Sequence, residues 1–438
     1  MSAIDRRDFL VRSGMAIGAA VLAADGRVSK ALAGSPPLKL DSWEAVRGQF
    51  QLTPDLIHLA GFFLASHPAS VRAAIERHRL GLDADPIGYW FEHEEQQEAA
   101  VLRAAAEYLA VDPTEIALTD STTMGLGLLY GGLTLREGQE VLTTQYDHYS
   151  TDTSLRLRAE RTGATVRQIP LYHSLKDVSS IELHENLIEN IRPTTRIVAV
   201  TWVHSSTGLK LPVQEMARAI HTLNESRTEQ DRVIFCVDGV HALGVEDFRL
   251  SDLGCDFLVA GTHKWMFGPR GTGLVWGHQR AWPAANAIIP TFNSEAYDIW
   301  MGLNQPKDLP KSVYMTPGGF HSFEHRWALD QAFTFHQAIG KARVTQRIYD
   351  LNQQMKQGLA KMPHVMLHTP MSQDLSSGIV CFEVTGMRPR QVIERLRQQK
   401  IIGSVTPYAT EYARLAPSLL NSSDDIEQAL QEILKLRV

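Results

Sequence analysis

The middle of the chain alternates short apolar runs with helix-length segments, and this alternation limits the folds open to it. Most of the runs are continuously apolar, which is typical of strands in a sheet covered on both faces. We therefore predict an α/β large domain built on a mostly parallel, seven-stranded sheet. The seven candidate strands are Glu115–Leu118, Glu140–Thr143, Thr165–Ile169, Arg196–Val203, Val233–Val237, Phe257–Ala260 and Gly273–Trp276.

The chain has 438 residues, which is long enough to need more than one hydrophobic core. Four parts are predicted: a signal peptide at 1–33, a segment at 34–70 that packs with the small domain, a large domain at 71–310 and a small domain at 311–438. The small domain is predicted to be α+β, because a helical stretch from Phe320 to about Met362 precedes alternating strands and helices. These are Gly378–Glu383, Pro389–Gln399, Ile401–Val405 and Ser423–Arg437.

The first 33 residues have the pattern of a twin-arginine export signal. Arg6 and Arg7 precede a weakly apolar stretch at 14–24, and Ala31-Leu32-Ala33 offers small residues to a signal peptidase. The alternative, an amphipathic surface helix, requires polar residues within 14–24 at helical spacing, and there are none. We therefore predict a periplasmic protein that the twin-arginine machinery exports already folded, with a cofactor acquired in the cytoplasm.

Composition excludes several classes of function. The formal net charge of −6 argues against a nucleic-acid partner, since such proteins bind phosphates through an excess of Lys and Arg. No apolar run reaches the roughly 20 residues that a bilayer span requires, so stable membrane insertion is not expected. Cys236, Cys255 and Cys381 lie in apolar, strand-like surroundings and are predicted to be small buried residues rather than disulfides. No metal site is predicted.

Three groups capable of chemistry follow successive predicted strands. Ser121, Thr122 and Thr123 precede a glycine-tolerant helix, whose free N–H groups and hydroxyls suit a phosphate. Asp238 ends a buried strand at the sheet edge where α/β proteins bind ligands. Lys264 stands between a strand and a glycine-rich turn, where burial would favour the free amine that attacks a carbonyl. Each group taken alone has an ordinary explanation, as a helix cap, a turn or a surface lysine. The prediction of a ligand site depends on their order along the chain.

This order, and the sequence His263-Lys264-Trp265-Met266-Phe267-Gly268-Pro269-Arg270-Gly271, resembles the class V aminotransferase family over residues 55–421. The resemblance implies a fold-type I enzyme that depends on pyridoxal 5'-phosphate (PLP). The signal peptide and the sequences at 121–123, 261–265, 316–326 and 414–421 are more closely similar to periplasmic PLP enzymes that mature the siderophore pyoverdine. The resemblance to isopenicillin N epimerase, another member of the family, is more distant.

The resemblance also implies roles for individual residues. Lys264 would bind PLP covalently, Asp238 would pair with the pyridine nitrogen, and Arg414 would bind the substrate carboxylate as a bidentate pair. The other implied cofactor-binding residues are Thr122, Thr123 and His263 at the phosphate, His148 stacked on the ring, and Ser205 and His241 near the phenolic oxygen. An alternative for His148 is a loop histidine bonded to backbone, and an alternative for Arg414 is a surface arginine.

The sequence departs from the family pattern in several places. Gly261 replaces a serine that often contacts the phosphate, so this contact is missing or is made by Thr262. Met124 stands where the family has an acidic residue after the Thr-Thr pair. Fold-type I sites usually take residues from a second subunit, which predicts a homodimer. Gly318, Gly319 and Ser322 are the nearest candidates for that contribution. The loop at 401–408, where desulfurases keep their nucleophilic cysteine, has none, which disfavours desulfuration by a persulfide mechanism.

The implied function is transamination of the glutamate side chain of pyoverdine to α-ketoglutaric acid. Two alternatives stay open at this point. One is a PLP-dependent oxidative decarboxylation of that glutamate to succinamide. The other, of a different class, is a non-catalytic periplasmic siderophore-binding protein, which would not need both Lys264 and Asp238.

Overall fold

A computed structural model describes residues 40–305 and 309–436. The predicted signal peptide at 1–33 lies outside the described residues. The strands are β1 (Ile57–His58), β2 (Ile116–Thr119), β3 (Glu140–Thr144), β4 (Thr165–Ile169), β5 (Thr195–Thr201), β6 (Ile234–Asp238), β7 (Phe257–Gly261), β8 (Gly273–Gly277), β9 (Val365–Leu367), β10 (Val380–Val384), β11 (Ile401–Ile402), β12 (Ser404–Val405) and β13 (Ala413–Leu415).

The α-helices of the described residues are α1 (Trp43–Arg47), α2 (Ala69–Ala84), α3 (Pro86–Leu109), α4 (Thr122–Gly132), α5 (Tyr149–Thr162), α6 (Ser180–Glu189), α7 (Val213–Asn224), α8 (Leu250–Leu253), α9 (Ser294–Trp300), α10 (Lys311–Met315), α11 (Phe323–Trp327), α12 (Asp330–Ile339), α13 (Lys341–Ala360), α14 (Pro389–Gln398) and α15 (Ser423–Leu434). Two short 3₁₀ helices span Pro113–Glu115 and Trp282–Ala284. In this part of the chain no helix is both long and apolar enough to cross a membrane.

The large domain contains a seven-stranded sheet in the order β2-β8-β7-β6-β5-β3-β4. Strands β4, β3, β5, β6 and β7 pair in parallel, and β8 runs antiparallel to both of its neighbours. All seven residues of β5 are buried. Val198 and Val200 belong to one apolar core, whereas Ile197 and Ala199 belong to another on the opposite face. Both faces are therefore covered, and the prediction of a mostly parallel seven-stranded α/β fold is confirmed.

The small domain is built on a four-stranded antiparallel sheet in the order β12-β13-β10-β9. Residues of α13 and α15, including Leu351 and Ile426, share an apolar core with Val380 and Leu415 of this sheet. The segment before the large domain packs with the small domain, because β1 pairs in parallel with β11. The predicted domain boundaries at 70 and 310 stay predictions.

Glycines interrupt two elements that the sequence pattern presents as continuous. The predicted helix from Phe320 to Met362 is three helices, and Gly340, with φ of 95°, separates α12 from α13. A backbone in this region is outside the helical range, so the helix stops there. The predicted strand Ile401–Val405 is divided at Gly403, since β11 pairs with β1 and β12 pairs with β13.

Candidate active site

Lys264 and Asp238 come together at the carboxyl edge of the large sheet. Strand β6 ends at Asp238, its neighbour β7 ends at Gly261, and Lys264 follows three residues later. Asp238 is only 3% exposed, and its Oδ1 accepts a hydrogen bond from Val240 N–H at 3.1 Å. Among the described residues nothing donates to its Oδ2. The carboxylate therefore keeps one oxygen for a ligand, at the edge where α/β sheets bind them.

The surroundings move the pKa values of both groups towards each other. Burial raises the pKa of Asp238 from 3.8 to about 6, against the opposing effects of the Val240 N–H and of Lys264. Burial lowers the pKa of Lys264 from 10.5 to about 8, against Asp238, and the Arg414 guanidinium lowers it further. Each shift reflects the cost of placing a charge in a low-dielectric interior. Lys264 is therefore within reach of its free-amine form near neutral pH.

A hydrogen-bonded chain indicates which form of Lys264 the site favours. Trp265 Nε1–H, which can only donate, lies 3.3 Å from His241 Nδ1. Burial, followed by the charge of Lys264, holds the pKa of His241 well below its usual value, so the imidazole is neutral. Its single proton is then on Nε2, 3.3 Å from Lys264 Nζ. An N–H that points at the amine is matched by the lone pair of an uncharged lysine.

The start of α4 and the turn after β7 form a small pocket of hydrogen-bond donors. Ser121 caps α4 by accepting from Met124 N–H, and Thr122 Oγ1 accepts from Gly261 N–H at 2.8 Å. A Cβ on Gly261 would lie 2.9 Å from Thr122 Oγ1 and 2.9 Å from His263 Cε1. A hydroxyl that accepts this bond keeps its own proton for an anion. The glycine is therefore required by the close approach of these two side chains.

The structure does not favour Thr262 as the replacement for the missing serine. Thr262 is fully buried, and its Oγ1 lies 2.6 Å from Thr272 Oγ1 on the far side of the turn. His263 lies against Gly261 instead, and its Nδ1 is buried with no hydrogen-bond partner in the described part of the chain. An unpaired buried polar atom is costly unless a ligand satisfies it. His263 is therefore the better placed of the two for a phosphate.

His148 caps helix α5 and connects to the same pocket. Its Nδ1 accepts from Ser150 N–H at 3.2 Å and lies 3.1 Å from Ser150 Oγ. Ser150 Oγ is in turn 2.9 Å from Thr123 Oγ1. The backbone bond that we considered as an alternative role for His148 is thus present, but it uses only the ring edge. The stacking of His148 on the cofactor ring stays a prediction.

Ser205 and Arg414 meet at the boundary between the two domains. Arg414, on β13, is 3% exposed and donates from Nη1 to Ser205 O at 2.8 Å and from Nε to Ser404 Oγ at 3.0 Å. Its guanidinium lies 4.5 Å from the centre of the Phe62 ring. The hydroxyl of Ser205 is 2.6 Å from Tyr408 OH. Arg414 is thus not a surface residue, and no carboxylate pairs with it in the residues that the structure covers.

The sequence pattern missed four residues that shape this site. Tyr408 and Trp265 act through contacts between distant segments, which spacing along the chain does not reveal. Ser150 was detectable as a hydroxyl in the first turn of the helix that follows His148. Asp147 accepts from Thr201 N–H and from three donors at the end of β3, and so fixes the loop that carries His148.

These groups match the parts of PLP. The hydroxyls of Thr122 and Thr123, the unpaired His263 Nδ1 and the start of α4 suit a phosphate. Asp238 offers a buried carboxylate to a pyridinium nitrogen, and Lys264 offers an amine to an aldehyde. The donor set therefore fits the cofactor that the resemblance implies. The part played by each residue stays a prediction.

Comparisons with known proteins agree with this fit. The family model "Aminotransferase class-V" matches residues 92–405. Isopenicillin N epimerase of Streptomyces clavuligerus is 27% identical over 353 residues, covering 78% of this chain and 84% of that protein. A probable cysteine desulfurase of Halalkalibacterium halodurans is 28% identical over 283 residues, covering 64% of each.

Solved structures share the fold. A C-DES mutant with glycine covalently linked to the PLP cofactor superposes with a TM-score of 0.78 at 22% identity, covering 89% of this chain and 99% of that one. The family model spans most of the chain and includes the seven-stranded sheet, Asp238 and Lys264. A fold-type I architecture, a fitting donor set and this match lead to one conclusion: the chain belongs to the class V aminotransferase family and is a PLP-dependent enzyme.

Proposed function

We propose that the enzyme acts on the α-amino carboxylate end of its substrate, with Arg414 holding the carboxylate. The observation that carries the proposal is a buried guanidinium without an anionic partner among the described residues. Three of its five N–H groups are used by Ser404, Ser205 and Val405, which leaves one on each terminal nitrogen. Two such donors suit the two oxygens of a carboxylate.

The proposed roles follow from the positions of the charges. PLP, when bound, supplies an electron sink that stabilises negative charge on the substrate α-carbon. Lys264 would then accept the α-proton, since its lowered pKa gives a usable free amine near neutral pH. Asp238 would balance a protonated pyridine nitrogen. Arg414 would orient the substrate so that the α-proton faces Lys264 Nζ.

The cysteines support a reaction other than desulfuration through an enzyme persulfide. Cys236, Cys255 and Cys381 are all buried. Burial raises the pKa of the Cys381 thiol to about 12 and raises that of Cys236 and Cys255 well above the usual range. A thiol held in this state is a poor nucleophile. The loop at 401–408 contains none of them.

For the substrate, we propose the glutamate side chain of pyoverdine, attached through its γ-carboxyl and transaminated to α-ketoglutaric acid. The resemblance of its motifs to those of pyoverdine-maturing enzymes and the predicted twin-arginine signal support this choice, and the predicted signal also supports a periplasmic location. Oxidative decarboxylation to succinamide is the second candidate. A non-catalytic binding protein is set aside, because the chain belongs to a family of enzymes.

Mass spectrometry of the reaction separates the two candidates. Purified enzyme is incubated with a peptide that carries a γ-linked glutamate, with and without a keto acid and oxygen. Transamination requires the keto acid, consumes no oxygen and replaces the amino group by a keto oxygen. Oxidative decarboxylation consumes an oxidant, releases carbon dioxide and yields the succinamide. An unmodified glutamate under every condition would refute the proposed substrate.

Arg414→Lys tests the carboxylate site itself. A bidentate charge-assisted pair contributes roughly 1.5–3 kcal/mol, so its loss should raise KM about tenfold or more. Lysine keeps the charge but not the fork, and the visible absorbance of bound PLP should be unchanged. Arg397→Lys, on the exposed side of α14, is the matched control. An unchanged KM for Arg414→Lys would mean that another residue binds the carboxylate.

A further inference from the structure

Tyr408 reaches into the site from an otherwise exposed loop. It lies between β12 and β13 of the small domain, and its neighbours Pro407 and Ala409 are exposed. Its hydroxyl is 2.6 Å from Ser205 Oγ, in the loop that follows β5 of the large domain. One hydrogen bond therefore joins the two domains directly beside Arg414.

Ser205 carries two contacts that converge on the same guanidinium. Its hydroxyl is bound to Tyr408, and its carbonyl oxygen accepts from Arg414 Nη1 at 2.8 Å. The loop that holds Tyr408 contacts the guanidinium again, because Val405 O lies 3.5 Å from Nη2. Arg414, Ser205 and Tyr408 thus belong to one hydrogen-bond network across the domain boundary. The direction of the two unused N–H groups of Arg414 depends on this network.

The Tyr408 ring and its hydroxyl make separate contacts. The ring meets His148 edge-on, with centroids 6.4 Å apart and planes at 86°, whereas the hydroxyl meets Ser205. Burial raises the pKa of the phenol, so the group is neutral and acts as a hydrogen-bonding group rather than a charge. Removing the hydroxyl alone leaves the ring contact in place.

We propose that Tyr408 is a positioning residue for the substrate carboxylate: its bond to Ser205 holds the peptide that fixes Arg414 and keeps the small-domain loop closed beside it. The inference rests on the proposed function of Arg414. It goes further in assigning the specificity of the site to a contact between domains. The loop that lacks the desulfurase cysteine contributes this tyrosine instead.

A double-mutant cycle tests the contact in the PLP-loaded enzyme. Tyr408→Phe, Ser205→Ala and the double variant are compared for the dissociation constant of glutarate, a dicarboxylate with no amino group to react, by calorimetry. Loss of one hydrogen bond should weaken glutarate binding about fivefold in either single variant. The double variant should be no weaker than the singles, since both remove the same bond. Tyr149→Phe is the control, because Tyr149 is 74% exposed and its hydroxyl has no partner among the described residues.

The possible outcomes distinguish a failure of the Tyr408 proposal from a failure of the proposed carboxylate binding by Arg414. The visible absorbance of PLP and the thermal unfolding of each variant show that the fold and the cofactor site are intact. Two results would overturn the positioning role: glutarate binding that is unchanged in Tyr408→Phe, or losses of binding that add up in the double variant. In either case the proposed function of Arg414 stands if Arg414→Lys still weakens glutarate binding. If Tyr408→Phe fails to fold, Ser205→Ala alone must show the fivefold loss of glutarate binding. Unchanged glutarate binding in Ser205→Ala would then overturn the positioning role. Failure of the unmodified enzyme to bind glutarate would contradict the proposed carboxylate site and the inference together.

Discussion

At the scale of single residues, the amine of Lys264 is controlled by side chains from several segments of the chain. The donor Trp265 Nε1–H fixes the proton of His241 on Nε2, and this proton points at Lys264 Nζ. Arg414 adds a positive charge that disfavours the ammonium form, whereas Asp238 favours it. Burial, followed by the charge of Lys264, lowers the pKa values of His148 and His263. For Lys264 itself burial is the largest cause of the lowered pKa, and the charges of Asp238 and Arg414 adjust it in opposite directions.

A pH dependence of PLP uptake follows from this arrangement. Only the free amine binds PLP covalently, and with a pKa of about 8 its fraction rises about tenfold per pH unit below that value. The rate at which PLP-free enzyme gains visible absorbance should therefore increase from pH 6 to 8 and level off above. Stopped-flow absorbance measures it, and circular dichroism at each pH checks the fold. A rate that is constant over this range would show that Lys264 is uncharged throughout, and a rise that continues to pH 10 would show that burial does not lower its pKa.

The sequence could identify the residues attached to strand ends but not their partners across the molecule. Asp238 and Lys264 follow β6 and β7 by fixed short distances, so adjacent parallel strands bring them to one edge. The bond from Tyr408 to Ser205 joins residues 203 positions apart, and no local pattern specifies it. Thr262 directly follows the last residue of β7 and is fully buried, which its place in the sequence does not reveal.

At the scale of elements, the strands that the sequence predicts best are those buried on both faces. Strands β5, β6, β7 and β8 are continuous buried runs, and their predicted bounds agree with the structure within about two residues. Strands β9 and β13 were not predicted, since each has only three residues. Strand β13 nevertheless carries Arg414. Its position depends on pairing with β10, which is a long-range property.

The turn that carries Ser205 depends on one glycine. Gly208 has φ of +74°, and a Cβ there would lie 2.3 Å from Ile379 O and 2.9 Å from Thr369 Oγ1 of the small domain. Gly208→Ala should therefore combine backbone strain with a clash against Ile379, the residue before β10, and lower the free energy of unfolding by roughly 3 kcal/mol. Urea denaturation measures this change.

Gly138→Ala is the matched control for this prediction. Gly138 has φ of +81°, but a Cβ there would meet nothing within 4 Å. This variant should show the backbone strain alone, about 1–2 kcal/mol. Equal destabilisation by the two variants would mean that the packing of the Ser205 turn against the small domain contributes nothing.

At the scale of the whole molecule, exposed apolar side chains concentrate beside the segment predicted to serve a second subunit. Ile288, Phe292, Trp300 and Leu303, which we call the 288–303 surface, are between 47% and 80% exposed. This surface adjoins the Gly318–Ser322 segment, since Gly318 N–H donates to Pro290 O. An apolar surface of this kind marks an interaction site.

We therefore predict a two-fold homodimer whose interface includes the 288–303 surface. Light scattering should give about twice the mass of one chain. Trp300→Glu should produce monomers with weakened PLP binding, whereas Leu434→Glu, at an exposed position on α15, should stay dimeric. A monomeric unmodified enzyme with full activity would show that the Gly318–Ser322 segment does not complete a neighbour's site.

The covalent attachment of PLP to Lys264 is the claim on which the site, the proposed function and the further inference all depend. The most direct measurement is borohydride reduction of the purified enzyme followed by peptide mass spectrometry, with the visible absorbance spectrum recorded beforehand. We expect visible absorbance in the unmodified enzyme, a reduced PLP group on the peptide that contains Lys264, and neither in Lys264→Ala. A reduced PLP group on another lysine, or a Lys264→Ala variant that keeps both the absorbance and the reducible bond, would contradict the assignment.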